Sequence, residues 1–83
     1  MRKEMKRNME SIDENQVMRT AMKERSMRQS DLAERMGTTQ NNVSGNINRR
    51  KISLEMFKRI MDAMEYDIVV MDRRDGTAKW KVV

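Results

Sequence analysis

The sequence predicts a mainly α-helical domain of four to five helices that ends in a C-terminal β-hairpin. Three observations lead there. Apolar residues recur three and four apart in short runs between about residues 12 and 65, and residues suited to cap a helix precede these runs. From Tyr66 onward the pattern changes to a β-branched run and then to strict alternation. No Pro, low-complexity tract or linker interrupts the 83 residues, so 1–83 reads as a single domain.

Taken in order, residues 1–10 carry Met5 and Met9 among Arg, Lys and Glu, and form either an amphipathic helix or a disordered basic N-terminal arm. The run Ser11-Ile12-Asp13-Glu14 has the form of a capping box, and Val17, Met18, Ala21 and Met22 then mark a helix running to about Arg25. A second helix, Gln29 to Met36, carries Leu32, Ala33 and Met36 and stops at Gly37, which suits a left-handed helix end. Thr39 is placed to cap a third helix, with Val43 and Ile47 inward and Gln40, Asn41, Ser44 and Asn48 outward. Ser53 caps a fourth, whose Leu54, Phe57, Ile60, Met61 and Met64 make the strongest apolar stripe in the chain. Residues 66–83 then read as a hairpin: Tyr66 to Met71, a turn at Arg73-Arg74-Asp75-Gly76, and Thr77 to Val83, with Ala78, Trp80 and Val82 on one face. A lone hairpin is marginal in water, so a second copy is its expected partner, with Ile68, Val70, Trp80 and Val82 at a homodimer interface.

Composition removes whole classes of function. With no Cys and no His, the chain has no thiolate zinc site, disulfide, cysteine nucleophile or histidine base. No metal, no cofactor and no enzymatic activity are expected. Eighteen Lys and Arg against 13 Asp and Glu leave a net charge of +5, which favours a polyanionic partner. The start, Met-Arg-Lys-Glu-Met-Lys-Arg, is neither a signal peptide nor a membrane anchor, and a cytoplasmic protein is expected.

The most specific spacing begins at Gln29: Leu32-Ala33, Met36-Gly37, Thr39 and Val43. Ala33 is small where a following helix crosses, Gly37 makes the turn, and Leu32, Met36 and Val43 lock the two helices. Residues 29–48 with this pattern resemble the Cro/phage-repressor (Xre-type) helix-turn-helix family, and the flanking helices extend the likeness to about residues 12–65. Two positions depart from it. Asn46 stands where the family usually has an apolar residue, with Ile47 taking over its packing, and Arg49 stands where Gly commonly follows Asn48.

The resemblance implies a repressor-like helix-turn-helix core over 11–65, with the third helix in the major groove of double-stranded DNA. Gln40 and Asn41 are types that pair with the adenine edge, Ser44 can donate or accept, and Gly45 permits close approach, so these four are the expected base-reading residues. No acid lies between Gly37 and Leu54, and Arg49, Arg50 and Lys51 supply a local charge of +3 as an expected phosphate clamp. Asn48 joins that set, and by resemblance so do Gln29 and Thr39.

The eleven Met suit core packing better than a pliable peptide-binding surface, and Trp80 suits a hairpin or dimer contact better than base stacking. Asp13-Glu14 and Asp31-Glu34 suit helix starts better than an acid–base or metal site. The expected function is a dimeric, sequence-specific repressor on a palindromic operator. The alternative is an antitoxin or interaction module that holds a partner protein, such as a toxin, through the hairpin or basic surface; nonspecific binding through charge alone is a third.

Overall fold

A computed structural model describes residues 11–83, and the arm or helix expected over residues 1–10 lies outside the described residues. The order is α1 (Glu14–Glu24), α2 (Gln29–Met36), α3 (Gln40–Ile47), α4 (Leu54–Ala63), β1 (Ile68–Asp72) and β2 (Thr77–Val82). The expected mainly helical fold with a terminal hairpin is what forms.

Each helix start has a local cause. Asp13 caps α1, its carboxylate accepting from the Gln16 N–H at 2.9 Å, so the cap expected at Ser11 falls two residues later. A carboxylate satisfies the free N–H and also meets the positive end of the helix dipole, which a serine hydroxyl does not. Thr39 and Ser53 cap α3 and α4 as expected, accepting from the N–H groups of Asn42 and Met56, both at 3.1 Å. At α2 the Asp31 carboxylate reaches back to the Arg28 N–H at 2.9 Å.

Three helix ends share one geometry. Ser26, Gly37 and Glu65 have φ of 53°, 68° and 66°, and the N–H groups of Met27, Thr38 and Tyr66 reach back to the carbonyls of Met22, Ala33 and Met61 at 2.8–2.9 Å. This closes the last turn and satisfies carbonyls that the helix leaves open. Gly37 adopts that conformation without a Cβ penalty, whereas Ser26 and Glu65 carry it.

The core is built from Met18, Ala21 and Met22 of α1, Leu32 and Ala33 of α2, Val43 and Ile47 of α3, and Ile60, Met61 and Met64 at the end of α4. Four of these ten residues are Met, with Met27, Met36 and Met56 packed around them, so the methionines do serve as filler. The stripe expected on α4 is shorter than its spacing suggested: Phe57 is half-buried and Leu54 is 62% exposed. Leu54, the first residue of α4, stays at the surface, while Ile52 before it and Met56 after it pack against the core.

The C-terminal end of α4 is held by arginines from two other helices. Arg25 donates to the Met64 carbonyl at 2.9 Å and the Glu65 carbonyl at 3.2 Å, while its guanidinium lies 4.0 Å over the Tyr66 ring. Arg35 donates to the Ala63 carbonyl at 3.1 Å. Tyr66 in turn donates to Glu24, so the start of the hairpin is fastened to the end of α1.

β1 and β2 pair antiparallel, with Ile68 opposite Val82, Val70 opposite Trp80 and Met71 opposite Ala78. The register shifts after Val70, which leaves Lys79 as an extra residue on β2. Ala78 therefore shares a face with Met71 and Val69, and the face expected to carry Ala78, Trp80 and Val82 loses Ala78. Ile68, Val70, Trp80 and Val82 do lie together on the other face, since opposed residues of a ladder share a side. In the turn, the Gly76 N–H donates to the Asp72 carbonyl at 2.7 Å, and Asp72 and Asp75 accept from the N–H groups of Arg74 and Thr77.

Candidate nucleic-acid interface

The site starts at Gly37, whose left-handed conformation turns the chain out of α2 and into α3 within three residues. Ala33, 4% exposed, lies under the crossing, where a larger side chain would push the helices apart. Thr39 caps α3 through its hydroxyl, and Asn42 donates to the Thr38 hydroxyl at 2.8 Å, so the turn is tied down at both of its threonines.

Val43, Asn46 and Ile47 are the buried residues of α3. Asn46 thus occupies the inward position that the resemblance assigns to an apolar residue, beside Ile47 rather than replaced by it. Its amide donates to the Asn42 carbonyl at 2.9 Å, one turn back, which satisfies the donor inside the core.

The opposite side of α3 is polar. Gln40, Asn41, Gly45 and Asn48 are exposed and Ser44 is half-buried. At 100° per residue, Asn41 and Gly45 lie within about 20° of the direction opposite Val43. Among the described residues, the side-chain amides of Gln40 and Asn41 form no hydrogen bond, so each presents a donor and an acceptor side by side. A Cβ built at Gly45 meets nothing within 4 Å.

Arg49, Arg50 and Lys51 follow as an exposed run, and among the described residues no carboxylate pairs with them. Gln29, half-buried, is the first residue of α2, and Thr39 stands at the start of α3. Asn48 is placed differently from the rest of this set. Its amide nitrogen donates to the Ser44 carbonyl at 3.0 Å and its oxygen accepts from Arg19 at 2.6 Å, so both ends of the side chain are engaged within the protein.

Two residues of α1 that sequence reasoning missed also meet the end of α3. Asn15 donates to the carbonyls of Ile47 and Arg49, and Arg19, one turn later, makes the bond to Asn48. Nothing local marks either residue, because the partners are 29 to 34 positions away.

The family model for the Cro/C1-type HTH DNA-binding domain matches residues 17–68. The chain belongs to that family. No curated protein and no solved structure matches it. The matched segment takes in α2, the turn at Gly37 and α3 entire, so the polar face just described lies on the second helix of the helix-turn-helix. As a Cro/C1-type domain the protein is a DNA-binding regulator, and α3 is the helix such a motif lays in the major groove. The hairpin lies almost wholly outside the match, which ends at Ile68. Among the described residues no three carboxylates converge as a metal site, and no helix is long and apolar enough to cross a membrane.

Proposed function

We propose that this Cro/C1-type protein is a homodimeric, sequence-specific transcriptional repressor that lays α3 of each subunit into successive major grooves of a palindromic operator. The observation that carries this reading is Gly45. It sits inside a helix, where glycine costs about 0.5–1 kcal/mol relative to alanine, yet a Cβ there would touch nothing in the protein. A bare backbone at the outermost point of α3 has a use when another surface must come close, and a base-pair edge is such a surface.

Gln40, Asn41, Ser44 and Gly45 then read bases, Gln40 and Asn41 through paired donor and acceptor on adenine. Arg49, Arg50 and Lys51 neutralise phosphates, with Gln29 and Thr39 as neutral backbone contacts that set position, while Asn48, engaged at both ends within the protein, is left out of that set. The hairpin face of Ile68, Val70, Trp80 and Val82 joins two subunits. Its support is the exposure of Trp80, 69% accessible, and Val70, 46%, beside Ile68, which packs against the subunit's own core, on a sheet that among the described residues has two strands and both edges open. Two-fold pairing spaces the α3 helices about 34 Å apart, one helical turn of DNA. Repression follows from occupying the promoter in the cytoplasm, without cofactor or catalysis.

The same exposed face favours a second reading, in which the hairpin holds a partner protein such as a toxin. A pair of substitutions tests the first. Gln40→Ala is expected to relax preference at one base position in each half-site, and Arg50→Ala to weaken all duplexes alike and flatten the salt dependence. Unchanged base preference after Gln40→Ala contradicts the placement of α3.

A further inference from the structure

We propose that Arg19 of α1 is a fourth phosphate-binding cation of this interface, aimed by Asn48. The inference rests on the reading of α3 as the DNA-facing helix. Arg19 is exposed, and its bond to the Asn48 oxygen, at 2.6 Å, is the short kind that a charged donor makes. Asn48 cannot swing freely, because its other end is held on the Ser44 carbonyl at 3.0 Å. The chain Arg19–Asn48–Ser44 thus parks a guanidinium at the end of the recognition helix.

Among the described residues the charge stays available. Asn48 is neutral, and among the described residues no carboxylate lies within ion-pair distance of Arg19. One N–H is used on Asn48, and a guanidinium has five. One turn earlier on the same helix, Asn15 donates to the Arg49 carbonyl at 3.0 Å, so the backbone that carries Arg49, Arg50 and Lys51 is fastened to the helix that carries Arg19. The segment of three cations that follows α3 and the Arg19 guanidinium of α1 are therefore both tied to the same helix end. The competing explanation is internal: a cation beside a helix C-terminus also stabilises the helix dipole. That role would act on folding and leave the number of phosphates neutralised unchanged.

Salt dependence separates the two. Affinity of the full chain for its operator duplex and for an unrelated duplex is measured from about 50 to 200 mM salt, for the wild type and Arg19→Met. A phosphate contact predicts a slope of log affinity against log salt flatter by about 0.9, with both duplexes weakened by a similar factor. An unchanged slope overturns the proposal and leaves Arg19 as a helix cap. If Arg19→Met does not fold, Arg19→Gln keeps a donor for Asn48 without the charge, and the same slope comparison decides. Failure of the α3 reading looks different: the wild type then prefers neither duplex, while the slopes on either one still report on Arg19.

Discussion

The side-chain amide of Asn15, in the first turn of α1, donates to the backbone carbonyl of Arg49 at 3.0 Å, across 34 positions of sequence. It donates to the Ile47 carbonyl as well, so one side chain holds a carbonyl that the end of α3 leaves open and a second just beyond the helix. Asn15→Ala is expected to cost about 1 kcal/mol in denaturant unfolding, the net worth of such a bond. Asn15→Asp is expected to cost more, because a carboxylate accepts where these carbonyls need a donor.

Gly45→Ala is expected to move stability and binding in opposite directions. The fold gains about 0.5–1 kcal/mol, since the new methyl meets no atom within 4 Å and the helix loses its glycine penalty. Operator affinity falls, because the methyl occupies the space where the base pair approaches. Paired thermal melts and binding titrations check it, and unchanged affinity would remove the reason given for the glycine.

At Ser26 the left-handed backbone, φ 53°, is held by a residue that pays for its Cβ, whereas Gly37 does not. Ser26→Gly is expected to raise stability by about 1 kcal/mol, read as a higher melting temperature.

Asp31 and Tyr66 set the expected pH behaviour at the two ends of the range. The Arg28 backbone N–H, and then its side chain, hold the Asp31 carboxyl below the usual carboxylate range. Its contribution is present above about pH 4 and is lost as pH falls through the lowered value. The Glu24 carboxylate, which accepts from the Tyr66 hydroxyl, pushes that phenol up. Its contribution is present below about pH 10 and is lost as pH rises through the raised value. Asp31→Asn should flatten the acid limb of a stability profile, and Tyr66→Phe the alkaline limb.

Trp80→Ala is expected to shift the protein from dimer to monomer in sedimentation while leaving the helical fold in place, since the indole is 69% exposed within the subunit. A monomeric wild type, or a variant that stays dimeric, contradicts the assignment of this hairpin face.

What could be read from the sequence was what is decided locally. The caps at Thr39 and Ser53, the stop at Gly37 and the inward Val43 and Ile47 all follow from residue type and helical spacing, and each stands where that spacing puts it. The polar face of α3 was legible for the same reason. The exceptions arise where a distant contact or a register decides. Leu54 fits the apolar stripe, but Ile52 and Met56 on either side of it pack on the core and Leu54 does not; Ala78 fits the alternation, but a bulge at Lys79 turns it over. Asn46 is at home inside because Asn42 offers its carbonyl one turn away, and Asn15 and Arg19 meet the end of α3 only through the packing of α1 on α3.

The central claim, that α3 reads a two-fold operator, is tested most directly by selecting the purified protein against a random duplex library at near-physiological salt and sequencing what it retains. The account predicts one enriched motif with two-fold symmetry and half-sites about ten base pairs apart. A folded protein that enriches no motif would contradict it.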